Sequence, residues 1–307
     1  MAGSIKVEDR EQRIIPVLGF IFLFRVVRVR DLEILGSTVL GINMRRIIEY
    51  LIRQKLVDSF AISTPVKTSG YWLLEAGLKK LPKSLLQYGY KFSPVWYRPG
   101  RMAHDSGVIE VCLLFQKLDA YGHWVSEWMI RKDMLKKIAK RAIATSRGRM
   151  AKTALRGRLP DGFYVINKGG KVAVEFESTR KNIHDWSDMI RDLEYGLNDR
   201  KKIDPNTDSI VTGRDFEAVL FVFTDVLTLE LYRRRFDEYS NYGHAAGAGK
   251  NHEKVVLNPQ CYFLTTVNFL KNGKVFRGGR EIDFTSFLEI VSSLHNQVVS
   301  EKVGAVA

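Results

Sequence analysis

The sequence predicts an α/β (α+β) protein in two parts, a small helix-rich module followed by a larger strand-rich one. Three observations lead there. The chain has 307 residues, which at ~100–200 residues per domain suggests about two domains. Apolar residues make up 45% of it, enough to bury real cores and to exclude disorder of the whole chain. The apolar pattern also changes near Arg101, from helical spacing to short alternating or continuous runs.

In the first part, Glu11–Phe24 and Leu32–Val39 carry apolar residues at mixed three-four spacing. Asn43 then suits an N-cap before MRRIIEYLIRQKLV, where Met44, Ile47, Ile48, Leu51, Ile52 and Leu56 mark one helix face. FAIS, a turn-rich TPVKTSG and a returning YWLLEAGLKKL follow. A helix, a short strand, a basic turn and a returning strand read as a winged helix-turn-helix over residues 10–85. Such a module lays one helix in the DNA major groove and touches phosphate with its wing, which makes Arg45, Arg46 and Lys67 the expected DNA contacts. A structural or protein-docking winged helix is the alternative. Residues 86–100, aromatic and punctuated by proline, read as a linker.

Charge points to the partner. Lys and Arg number 48 against 34 Asp and Glu, a net of +14, and such an excess favours a polyanion, most simply nucleic acid; with the winged-helix reading, double-stranded DNA is the expected partner. Most of it falls in Arg131–Arg158, which holds eleven basic residues and one acid, Asp133. The first half of this run has Leu135, Ile138, Ala142 and Ile143 at helical spacing; the second is glycine-containing and aperiodic. Lys136, Lys140, Arg147, Arg149, Arg156 and Arg158 are its candidate DNA contacts. The two cysteines, Cys112 and Cys261, exclude a disulfide framework and a Cys-based zinc cluster. The longest apolar run, Ile14–Phe24, has 11 residues, against the ~20 of a membrane span. The opening MAGSIKVEDREQR lacks the layout of a signal peptide. A reducing cytoplasm without membrane insertion is the expected location.

The second part reads in order as a helix (HDSGVIEVCLLFQKL, with Val108, Val111, Cys112 and Phe115 on one side), a strand (WVSEWMI), and two strands, LPDGFYVI and KVAVEFES, joined by an NKGG turn. A helix over Asn182–Leu197, a buried strand AVLFVFT, a strand QCYFLTTVNFL, a basic hairpin FRGGREIDF and a terminal helix DFTSFLEIVSSLH complete it. YGHAAGAGKNHEK reads as a small-residue loop.

Chemistry concentrates at Pro160-Asp161-Gly162 and, fourteen residues after Asp161, at Glu175-Phe-Glu177 followed by Ser-Thr-Arg-Lys. Glu175 and Glu177 are two apart on one strand and therefore share a sheet face. If the two strands pair, three carboxylates converge, repel one another and call for a cation. Oxygen donors of this kind select Mg2+ or Mn2+, and such an ion acidifies water and stabilises charge on a scissile phosphate. Lys181 would add a point charge. An ordinary solvated strand face is the alternative. No Walker A, HExxH or GxSxG pattern is present.

At these residues the chain resembles the PD-(D/E)XK nuclease superfamily, in the version where Glu takes the place of the motif lysine and a lysine sits on the next helix. More narrowly, a winged helix followed by His104, Val108, Glu127-Trp128, Pro160-Asp161-Gly162 and Ala173–Glu177 with Thr179 and Lys181 is similar to the replication-relaxation and MOBC mobilisation proteins of plasmids and integrative elements. The resemblance covers roughly residues 10–200. It implies a restriction-endonuclease-like α/β core with a mixed central sheet over residues 101–300, interrupted by the basic insertion 131–158, and a metal-dependent endonuclease that nicks an origin of transfer. Asp161, Glu175 and Glu177 would be metal ligands or activators, Lys181 the assisting cation, Glu127 an additional acidic ligand and His104 a metal ligand or its neighbour. A conjugative coupling protein or accessory mobilisation protein would be a partner. The long basic insertion departs from the pattern and puts the placement of Glu127 in doubt. A non-catalytic DNA-binding regulator on the same fold and a restriction or defence nuclease are the rival readings.

Overall fold

The computed structural model describes residues 7–62, 68–94, 97, 99–133, 159–167, 169–197, 200–203, 210–213, 215–242 and 259–304. The chain divides into two compact units, Met1–Lys117 and Leu118–Ala307.

The first unit runs α1 (Val7–Phe24), β1 (Val27–Arg28), α2 (Val29–Leu35), a π-helical turn (Gly36–Leu40), α3 (Met44–Arg53), β2 (Val57–Ile62), β3 (Thr68–Leu73), the short helices α4 (Glu75–Leu78) and α5 (Lys83–Leu86), and α6 (Met102–Leu118). Its three strands form an antiparallel sheet in the order β1-β3-β2. As expected, Asn43 caps α3, its side chain accepting from the Arg45 N–H at 3.1 Å. Met44, Ile48 and Leu51 are buried, whereas Ile52, expected on the same face, is exposed. The returning strand also ends sooner than the sequence suggested. Leu73 is its last residue, and Glu75–Leu78 turns into a helix.

Helix α6 buries the expected Val108, Val111, Cys112 and Phe115. It groups with the first unit except for its last residue, so the division lies beyond the aromatic stretch that reads as a linker. One link within that unit is the Ser106 hydroxyl, which donates to Asp31 at 3.4 Å.

Tyr90 ties this unit together. Its hydroxyl donates to the Arg25 carbonyl at 3.1 Å and accepts from the Leu73 N–H at 3.3 Å, while its ring stacks on Phe22. Arg25 has φ 66°, a left-handed conformation for a non-glycine residue, and the bond to its carbonyl holds that turn. Burial pushes the Tyr90 hydroxyl up to about 12. Because the unfolded phenol titrates near 10, the stability this group contributes is complete below that pH and is lost as pH rises through 12. Tyr90→Phe is expected to lower stability by about 1–3 kcal/mol, because it strands an N–H and a carbonyl. The check is urea unfolding at neutral pH, where an unchanged midpoint would count against this role. The variant should also lose stability less steeply above pH 10.

The second unit carries β4 (His123–Ser126), helical residues 127–133 (α7), β5 (Gly162–Val165), β6 (Lys171–Glu177), α8 (Ile183–Leu197), β7 (Arg200–Ile203), β8 (Ile210–Gly213), β9 (Ala218–Phe223), α9 (Val226–Tyr242), β10 (Tyr262–Thr266), α10 (Val267–Lys271), β11 (Lys274–Arg277), β12 (Arg280–Asp283) and α11 (Phe284–Gly304). Seven strands form one mixed sheet in the order β12-β11-β10-β9-β6-β5-β4, with β7 and β8 a separate pair. The central β6, β9 and β10 are parallel, and the flanking pairs are antiparallel. Parallel strands covered on both faces read as continuous apolar runs, and Ala218–Phe223 is buried throughout.

Ala173, Val219, Phe221, Phe223, Tyr262 and Leu264 form one core with Trp186, Met189, Ile190 and Leu193 of α8 and Leu229, Tyr232 and Phe236 of α9. From the other face, Phe287 of α11 packs edge-on against Phe263 at 4.8 Å. The NKGG turn is a hairpin turn as expected, with Gly169 at φ 92° and Gly170 at φ 101°.

Two apolar runs change from strand to helix part-way. Glu127 does not lie on a strand: β4 ends at Ser126 and the chain turns helical. QCYFLTTVNFL is likewise a strand only to Thr266, whose hydroxyl accepts from the Phe269 N–H and starts α10. Helix α9 was not anticipated. Among the described residues no helix is long and apolar enough to cross a membrane.

Candidate functional site

The site is built on three neighbouring strands. Ser126 faces Gly162 across the β4–β5 pair, and Gly162 faces Val174 across β5–β6. One residue further along the same register stand Glu127, Asp161 and Glu175, side by side. The first of these steps is a backbone bond, Glu127 N–H to the Asp161 carbonyl at 3.2 Å. The second is made by a side chain: Asp161 Oδ2 accepts from the Phe176 N–H at 2.8 Å. The motif aspartate therefore fastens the start of β5 to β6.

The glycine beside it has a packing reason. A Cβ on Gly162 would meet the Trp124 indole at 2.3 Å, and Trp124 is buried on β4. Gly162→Ala must push that ring aside, an overpacking cost of about 1–3 kcal/mol. The expected result is a lower thermal midpoint for the second unit. An unshifted midpoint would mean that Trp124 can move.

Glu175 and Glu177 are not on a solvated face. They are 0% and 2% exposed, on the face of β6 that also carries Ala173, under α8 and α9. Their registered neighbours on β9 are Phe221 and Phe223. Carboxylates in such surroundings are costly unless paired. Glu177 is paired: its Oε1 binds the Lys181 ammonium, and that side chain is 15% exposed. The structure thus brings Asp161, Glu175, Glu177 and Lys181 together at the carboxyl end of β6, the end at which open α/β sheets take ligands.

The loop holding Lys181 is tied to α9, because the Arg235 guanidinium donates to the Lys181 carbonyl at 3.0 Å. Arg235 was not anticipated from the sequence. It lies 54 positions downstream, in a helix that gave no motif. Asp225, between β9 and α9, is held below the ordinary carboxylate range, chiefly by the Thr228 N–H and hydroxyl, with Arg180 adding to the effect. Arg180 therefore belongs to the same end of the sheet.

The remaining candidates are engaged differently. Glu127 follows β4 and pairs with Arg131 at 2.6 Å, one helical turn on. His104 belongs to the other unit, where its Nδ1 lies 3.6 Å from Asp105. Arg45 and Arg46 are exposed on α3, and Arg45 is within 3.5 Å of Glu49. Lys67, Lys136, Lys140, Arg147, Arg149, Arg156 and Arg158 lie outside the described residues.

Among the described residues no group of three or more His, Cys, Asp and Glu side chains is arranged to hold a metal ion. Asp161 and Glu175 occupy neighbouring positions, and Glu177 is turned to Lys181. A pair of carboxylates still suits Mg2+, which commonly takes one or two and completes its shell with water and substrate phosphate. No family model matches the chain, and no match was found among the curated proteins or the solved structures.

Proposed function

We propose that the protein is a metal-dependent DNA endonuclease that nicks its substrate, with the second unit as a PD-(D/E)XK-like core and the first as a DNA-binding winged helix. A MOBC-like relaxase acting at an origin of transfer is the specific form of this reading. The observation that carries it is the set Asp161, Glu175, Glu177 and Lys181, with two carboxylates sunk into a central strand where a merely structural strand would carry apolar residues.

Topology supports the reading. In chain order within the second unit, three antiparallel strands β4–β5–β6, helix α8 and a strand β9 parallel to β6 follow the βββαβ part of the order expected of a restriction-endonuclease-like core, with the short α7 between β4 and β5. For the first unit the support is the order α1-β1-α2-α3-β2-β3 with strands arranged β1-β3-β2, and an α3 that exposes Arg45 and Arg46. The wing tip, including Lys67, is outside the described residues.

In this mechanism water attacks phosphorus and one phosphodiester oxygen leaves with a proton. Mg2+ or Mn2+, when bound, acidifies that water and offsets charge on the phosphate. Asp161 and Glu175 would hold the ion. The Asp161 carboxylate is already oriented by the Phe176 N–H. Glu177 holds the Lys181 ammonium in place, so that a fixed positive charge meets the developing negative one without reorganising.

One observation favours a second reading, a DNA-binding regulator that has lost the reaction: the third carboxylate is engaged by Lys181, and among the described residues no three-acid group is arranged to hold a metal ion. Supercoiled plasmid incubated with the protein, with and without Mg2+ or Mn2+, separates the two. Metal-dependent open circles, absent with Glu175→Gln, support the nuclease. Metal-independent binding without cutting, on the DNA of the protein's own genetic element as well, supports the regulator. Linear product from a dimer would instead indicate a double-strand-cutting defence nuclease.

A further inference from the structure

The sequence motif ends at Lys181, but the chemistry at this end of the sheet does not. Arg235 lies on α9 with its guanidinium 5.7 Å from the centre of the Tyr232 ring and one N–H on the Lys181 carbonyl. Tyr232 is fully buried, and its ring lies 4.7 Å from that of Phe223, the residue registered with Glu177. The planar group is therefore held from two sides, by an aromatic ring and by a backbone oxygen. Neither contact neutralises it. Among the described residues no carboxylate pairs with Arg235, in contrast to Arg233, two residues before it, which pairs with Glu230 at 2.8 Å.

A fixed guanidinium has five N–H donors in a rigid fork. One is used on Lys181. An oriented fork that no described carboxylate pairs, beside a carboxylate-and-lysine site, is suited to a phosphate oxygen pair. Arg180, exposed on the same loop and within electrostatic reach of Asp225, adds a second cation.

We propose that Arg235 is a substrate-binding residue that clamps a phosphate of the nucleic-acid backbone next to the one that is cut, and that through the Lys181 carbonyl it also positions the loop bearing the assisting cation. The inference rests on the DNA-cleaving reading for its substrate, but its decisive measurement is binding, which does not require cutting.

The experiment uses the full chain, a labelled DNA duplex and EDTA, and compares wild type, Arg235→Ala and Arg235→Lys over a salt series. Neutralising one phosphate contributes about 0.9 to the slope of log K against log salt. Arg235→Ala should lower that slope by roughly one and weaken binding roughly tenfold at moderate salt. Arg235→Lys keeps the charge and loses the fork, so it should retain the slope and only part of the affinity. In cleavage, Arg235→Ala should raise KM more than it lowers kcat. Thermal midpoints separate this from a folding defect, and Arg235→Lys carries the test if the alanine variant is unstable.

A wild-type slope and affinity in Arg235→Ala would overturn the inference while leaving the nuclease reading standing. DNA binding that depends on Arg235 in a protein that never cuts would keep the phosphate contact and overturn the nuclease. A wild-type protein that binds no DNA would overturn both.

Discussion

Asp161→Asn and Glu175→Gln are each expected to reduce metal-dependent nicking by roughly 10³-fold or more, the scale of losing an acid-base or metal-holding group, with DNA binding in EDTA unchanged. Amides are the informative replacements. They keep the volume on a packed strand, and an asparagine oxygen still accepts from the Phe176 N–H that Asp161 engages. What they remove is the negative charge. Alanine would also open a hole at Glu175, which is fully buried, and confuse chemistry with stability. A nicking rate within a few-fold of wild type in both amide variants would end the active-site proposal. A loss in Asp161→Asn alone would move the ion away from β6.

Lys181→Met is expected to cost the second unit about 3 kcal/mol, the consequence of leaving one member of a buried pair without its counter-charge. Glu177 is almost wholly buried beside Phe223 and has little access to water. The double replacement Glu177→Gln with Lys181→Met should recover most of that loss, since two neutral groups of similar shape no longer need each other. The difference read from the four proteins by urea unfolding is expected to be about 2 kcal/mol of coupling. A coupling near zero would mean that the pair is held only by its surroundings. The same double variant should not nick, which separates the structural use of the pair from its use in the reaction.

Much of this architecture was legible because its signals are local. Asn43 marks the start of α3, two glycines mark the β5–β6 turn, and the alternation in KVAVEFES marks a strand with both glutamates on one side. The illegible parts depend on distant partners. Nothing in the sequence around Glu175 says that its own face is covered, because the cover comes from α8 and α9. Period alone does not stop an apolar run, so the helical residues after Ser126 and Thr266 read as strand. Arg235 is invisible as a site residue until α9 is laid against the sheet and its guanidinium reaches the Lys181 carbonyl. The pairing of Glu177 with Lys181 is likewise set by how the strand and the following loop meet in three dimensions.

The mixed sheet has a consequence for how the chain assembles. The β5–β6 hairpin joins positions close in sequence, such as Gly162 and Val174. The β6–β9 ladder joins residues 46 positions apart, Glu175 with Phe221 and Glu177 with Phe223. Closing the longer loop costs more chain entropy, so the hairpin forms with one flank of β6 still wet. Until β9 pairs, the hairpin's two carboxylates keep their hydration. They give it up only when β9 and its aromatic residues dock, after the strand has its final register. Closing β9 over β6 therefore carries the cost of drying both carboxylates, and these charges set how tightly the centre of the sheet stays closed.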